Sequence, residues 1–136
     1  MPDHHDLVAL DEDTCWELLA GVGIARVGIS MGERMHVLPV NHLVHERRVY
    51  WRSGAGTKLG VAAAEAQVAV EADEIDQVGH VGWSVVVHGR ASIVNDPGTL
   101  DALHARDFAP WSAVDQKVLW IEVVPDEVTG RRLGHA

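Results

Sequence analysis

The segment Arg52-Ser53-Gly54-Ala55-Gly56-Thr57-Lys58 gathers residue types suited to an anion. Arginine offers a planar fork of N–H donors that matches phosphate, and lysine adds a compact positive charge. Ser53 and Thr57 carry hydroxyls, and the two glycines let the backbone approach a ligand closely. Thr57 is also a good N-cap for the alanine-rich run 58–66, whose first-turn N–H groups suit the same anion. The spacing is not that of a P-loop, which needs Gly-x-x-x-x-Gly-Lys followed by Ser or Thr. Taken alone, the residues leave two readings open: a phosphate cradle, or a Ser/Gly turn before a capped helix with two solvated cations.

Other residues invite chemistry with less support. Among nine histidines, His42 and His45 are three apart on an expected strand and turn, where they point to opposite faces. No Glu-flanked zinc motif or cysteine pair accompanies them, so no metal site is expected. His36 and His42 read as half-exposed polar positions. His88 shares a strand face with Ser84, and a general-acid role stays open for it. Cys15, beside Trp16 and Leu18, reads as a small buried hydrophobe. Ser84 lacks a Gly-x-Ser-x-Gly context, so hydrolase chemistry is unsupported. The acids Glu71, Asp73, Glu74 and Asp76 read as a strand end and solvated loop.

The elements that must hold these residues are mostly strands. Residues 1–10 read as a tail. A helix follows, capped by Asp11 or Asp13 and stopped by Gly21 and Gly23. Strands are expected over 22–30, 35–44, 48–52, 67–72, 81–95 and 117–124, with helices over 58–66 and 96–107. Pro39 cannot donate to a ladder, which places it at an edge or a bulge. Residues 73–80 read as an acidic loop, and 125–133 as a trailing segment. About six strands with short helices between them predict an antiparallel sheet closed, or nearly closed, into a barrel.

At 136 residues the chain fits one domain spanning 1–136. Eleven Lys and Arg face 20 Asp and Glu, for a net charge of −9, and no basic run exceeds two residues. That pattern argues against nucleic acid. Apolar stretches such as 81–87 are far too short to span a bilayer. One cysteine and a polar, acidic N-terminus lead us to expect a cytoplasmic protein with no disulfide framework.

A set of short stretches then carries a resemblance. They are Cys15-Trp-Glu-Leu-Leu19, Val27-Gly28, Leu38-Pro-Val-Asn41, Tyr50-Trp-Arg-Ser53, Gly56-Thr-Lys-Leu59 and Val70-Glu-Ala-Asp73. Gly82-Trp-Ser-Val-Val86 with Gly89-Arg90, and Val128-Thr-Gly-Arg-Arg132, complete the set. In this order, across nearly the whole chain, the sequence resembles the pyridoxamine 5'-phosphate oxidase-like family of flavin-binding split barrels, especially its small actinobacterial-type members. The resemblance implies a mainly β fold with short helices: a six-stranded antiparallel split β-barrel that forms a homodimer with FMN sites at the subunit interface. It assigns Arg52, Ser53, Thr57 and Lys58 to the flavin phosphate. Pro39, Val40 and Asn41 would run alongside the ring system, and Trp83 and Ser84 would lie near the ring or its ribityl chain. Trp111 would reach across the dimer. For Trp83 and Trp111, plain core or dimer packing stays open.

The function implied is a flavin-dependent oxidoreductase that passes electrons from a reduced nicotinamide or similar donor to a small acceptor. Alternatives are a flavin-storing or flavin-sensing protein without turnover, and a protein that uses the deazaflavin F420 in place of FMN. The extended basic site that a vitamin-B6 oxidase uses for its substrate's phosphate is not visible, and Arg131 and Arg132 follow the expected last strand. No protein side chain is singled out as catalytic, because in such a site the cofactor carries the chemistry.

Overall fold

The computed structural model describes residues 7–54, 60, 62–106 and 118–134. Among them the chain forms β1 (Leu7–Ala9), α1 (Glu12–Ala20), β2 (Ile24–Met31), β3 (Arg34–His45), β4 (Arg48–Gly54), β5 (Gln67–Asp76), β6 (Val81–Ile93), α2 (Pro97–Arg106) and β7 (Val118–Leu133). Strands β7, β4, β3, β2, β5 and β6 are neighbours in that order, and β6 pairs again with β7. Every pairing is antiparallel, so six strands close into a ring, with β1 added along β7. This is the ring of strands expected of a split barrel.

Alternation builds the interior. In β2, Ala25, Val27 and Ile29 are buried while Arg26 and Ser30 face solvent. Val49 and Trp51 of β4, Val70 of β5, Val85 and Val87 of β6, and Ile121 and Val123 of β7 complete a core with no solvent exposure. β-branched side chains suit this pleated, closely packed setting. One turn of α1 drops Cys15, Trp16 and Leu19 against the same core. Asp11 caps the helix by accepting the Thr14 N–H at 2.8 Å. Arg47, in the β3–β4 turn, pairs with Asp13 and Glu12 and ties that turn to the helix.

The two strand prolines sit where no ladder donor is needed. Pro39 pairs with Arg26 of β2 on one side, while the β3–β4 ladder covers only His42 to His45. Its other edge is thus outside the ladder, as expected from the missing N–H. Pro125 lies at a bulge: the β6–β7 register shifts between His88 and Gly89, which face Glu127 and Pro125. Gly89 is required there, since a Cβ would stand 2.2 Å from the Val124 carbonyl oxygen.

Several boundaries differ from the sequence reading. Leu7–Ala9 is a strand rather than the end of a tail, because residues 131–133 offer it a free edge. The segment after Val124 does not trail off: β7 runs on to Leu133, since the bulge absorbs Pro125 and β6 supplies partners as far as Gly82. β5 likewise extends through the acidic stretch to Asp76, held by pairs from Asp73↔Ser84 to Asp76↔Val81. Of the helix expected over 58–66, Gly60 and Ala62 are helical and residues 63–65 form a turn, with Glu65 at φ 65°.

Candidate functional site

Strand β4 sends alternate side chains to opposite sides of the sheet. Val49, Trp51 and Ser53 are buried inward, whereas Arg52 is half-buried on the outside. Across the ladder Arg52 is paired with Trp120 of β7, and its guanidinium carbon lies over the indole ring, 5.8 Å from the centroid. On the other side, His42↔Trp51 is the last β3–β4 pair, so Asn41 stands one step beyond it, level with Arg52. Asn41 and Pro39 are both exposed on this outer face, and Ile24 of β2 sits directly opposite Asn41. Arg52, Asn41 and Pro39 therefore share one surface, near the C-terminal end of β4.

Burial divides the remaining expected residues. Val40, Ser53 and Trp83 face inward at 8%, 8% and 7% exposure, so Val40 offers an outside ligand its backbone rather than its side chain. Ser84 is half-buried on the outer side of β6, opposite Asp73 of β5 and Arg131 of β7. Its strand is two places from β4 by way of β7 and four by way of β3, β2 and β5. Thr57, Lys58 and Trp111 lie outside the described residues.

Trp83 also lines an open groove of about 540 Å³ with Asp73, Glu74, Ile75, Asp76 and Val81. Its acidic rim repels phosphate, so the groove and the Arg52 surface differ in chemistry. Within this region Glu71 and Asp73, one pleat apart on β5, face outward. Burial first, then a hydrogen bond to Asp73 and its charge, push the Glu71 carboxyl up to about 7, while Arg26 opposes the rise. The sequence places Glu71 at a strand end and Asp73 in a solvated loop; β5 instead continues through Asp73, which is half-buried, while Glu74 and Asp76 are exposed as expected.

Other titratable groups have local explanations. His42 is buried, not half-exposed: its Nε2 donates to the Leu19 carbonyl at 2.9 Å, and burial pushes its pKa down. The buried His42 Nδ1 and Trp51 Nε1 lie on directly opposed residues, and among the described residues neither meets a hydrogen-bond partner. Burial raises the Cys15 thiol, as expected for an inert core cysteine. His88 is exposed and 3.5 Å from Glu127. On the outer face near Arg52, Tyr50 donates to Glu122 at 2.7 Å and Arg48 Nη1 lies 3.3 Å from the same carboxylate. Burial and that bond raise the Tyr50 phenol above its usual range. Among the described residues no group of three or more His, Cys, Asp or Glu could hold a metal ion, and no helix is long and apolar enough to cross a membrane.

A family model described as pyridoxamine 5'-phosphate oxidase matches residues 11–132. The chain belongs to that family. An uncharacterized protein of Mycobacterium tuberculosis, Rv0080, is 37% identical over 133 residues, covering 94% of this chain and 86% of that protein. A solved structure called the FAD binding protein from Mycobacterium smegmatis is 34% identical with a TM-score of 0.80, over 93% of this chain and 98% of the other. An FAD-binding protein from Mesorhizobium loti, at 18% identity and a TM-score of 0.74 over 94% and 99% of the two chains, shares the fold. Membership in the oxidase family thus agrees with the resemblance drawn from the short motifs. Trp120, by contrast, had no motif to mark it; only the β4–β7 register reveals it beside Arg52.

Proposed function

We propose that this chain binds a flavin nucleotide on the outer face of β3 and β4, in a site completed by a second copy of itself, and works as a flavin-dependent oxidoreductase. The observation that carries the reading is Arg52, set over Trp120 and level with Asn41 near the C-terminal end of β4. A cation on a rigid strand, with backbone-permissive residues following it, suits the phosphate that FMN and FAD share. The 34% identical FAD-binding protein supports a flavin, and leaves FAD beside FMN as the nucleotide to test. Asn41 would hydrogen-bond the polar edge of the ring system, with Pro39 packed against its face, and Thr57 and Lys58 would complete the phosphate grip. A bound flavin supplies hydride and electron transfer, here from a reduced nicotinamide or similar donor to a small acceptor; the chain supplies grip, orientation and shielding from water.

The same face suits contact with a second copy. Met35 and Val37 of β3 are 73% and 67% exposed, and Ile24 of β2 is 50% exposed. Large apolar side chains exposed on one face of neighbouring strands suit an interaction surface. Arg26 and Glu71 stand opposite each other beside it, so the surface carries both signs and suits a two-fold, self-complementary contact. Such a contact would also cover the exposed part of β3 that carries Pro39 and Asn41.

The visible spectrum of the purified protein, followed by addition of NADH or NADPH, tests the reading. A yellow dimer that bleaches on reduction supports it, and a yellow protein inert to every reductant would make it a binding protein instead. A protein that takes up neither FMN nor FAD but quenches F420 fluorescence would move the assignment to the deazaflavin.

A further inference from the structure

The flavin reading names Arg52 but not what aims it, and the inference here rests on that reading. A long arginine on a strand end can sweep a wide cone, so a forked phosphate contact needs its guanidinium plane fixed in advance. Trp120 is placed to do that. It is the direct cross-strand partner of Arg52, and its ring lies beneath the guanidinium at 5.8 Å. The indole is itself immobilised: it is 5% exposed and packs with Tyr50, Val94 and Leu103, the last projecting from α2. His104, also on α2, lies 6.4 Å from the same ring. The neighbouring pair on this face, Tyr50 and Glu122, is locked by its 2.7 Å hydrogen bond. An aromatic face within cation–π range attracts the guanidinium charge and so restricts where the long side chain sits.

We propose that Trp120 is a positioning residue for the cofactor phosphate, an aromatic platform that orients Arg52 without touching the ligand. A platform of this kind acts only on ligands that carry the phosphate. It therefore separates FMN and FAD from riboflavin, which has the same ring system and no phosphate.

The test measures the affinities of FMN, FAD and riboflavin for the full-length protein and for Trp120→Leu, Trp120→Phe, Arg52→Ala and Arg52→Ala/Trp120→Leu. Leucine keeps apolar bulk and removes the ring face. Trp120→Leu should weaken FMN and FAD by roughly threefold to thirtyfold, the range of a partly desolvated cation–π contact, with riboflavin unchanged. Trp120→Phe, which keeps a weaker ring face, should lose less. In the Arg52→Ala background, removing the ring should cost nothing further. Equal losses for riboflavin and FMN, a ring effect that persists without Arg52, or no effect would each overturn the platform. If Trp120→Leu does not fold, Trp120→Phe decides: a loss confined to the phosphorylated flavins supports the platform, and a shared loss or none overturns it. A wild-type protein that binds no flavin at all sinks the flavin reading first, and the platform's ligand with it.

Discussion

Glu71 should make the protein less stable as pH rises, and the structure sets the size of the effect. Its carboxyl is half-covered on the outer side of β5, accepts company from Asp73 two residues along, and faces Arg26 across the β2–β5 ladder. Desolvation and Asp73 together raise its pKa from 4.5 to about 7, against the pull of Arg26. A group whose pKa is higher in the folded state binds its proton more tightly there. Its contribution to stability is therefore full below about pH 4.5 and is lost as the pH climbs through about 7. At about 1.4 kcal/mol per pKa unit, the upper bound is about 3.5 kcal/mol. Glu71 retains contact with water, so screening reduces the expected effect to about 1 kcal/mol. Glu71→Gln imitates the protonated carboxyl and should abolish this slope. Urea unfolding of both proteins at pH 4.5, 6 and 8, at one fixed protein concentration, reads the difference. The wild type should lose about 1 kcal/mol relative to Glu71→Gln between the lowest and highest pH. Parallel pH profiles for the two proteins would refute the reasoning.

Gly130→Ala places a Cβ 2.6 Å from Cys15 Sγ and 3.2 Å from the Ser84 carbonyl oxygen. It should cost about 1–3 kcal/mol, as overpacking does, seen as a lower urea midpoint; an unchanged midpoint would show that α1 shifts freely. Asp11→Ala removes the acceptor for the Thr14 N–H and should cost about 1 kcal/mol in the same assay. Val37→Glu adds a charge to an exposed strip, so the fold should hold while light scattering shows dissociation to monomers. A wild type that is already monomeric at micromolar concentration would contradict the two-copy site.

The sequence made the barrel legible because burial follows strict alternation: Trp83, Val85 and Val87 read inward and Ser84, Val86 and His88 outward, as they lie. Pro39 was legible as well, since a missing N–H has only a few places to go. Pro125 misled for the same reason: it reads as a strand stop, and only the partner strand shows the bulge that accommodates it. The extension of β5 through Asp73–Asp76 was hidden because acids are poor strand formers in isolation, and β6 stabilises them by pairing. His42 looked half-exposed because the acceptor that satisfies it, the Leu19 carbonyl, is distant in sequence. At the candidate site, Arg52 was marked by local pattern and Asn41 by family likeness alone. Trp120, 68 residues after Arg52, becomes its neighbour only through the β4–β7 register. Motifs thus marked the residues suited to hold a ligand, while long-range pairing determined which of them stand together.

The most direct test of the central claim is a titration of the apoprotein with FMN and with FAD, followed by flavin fluorescence, for the wild type and Arg52→Ala/Lys58→Ala. Each charge-assisted contact to phosphate is worth roughly 1.5–3 kcal/mol, so the folded double variant should bind at least a hundredfold more weakly. Equal flavin affinity in the two proteins, or no flavin binding by the wild type, would contradict the assignment of the outer face around Arg52 as a flavin site.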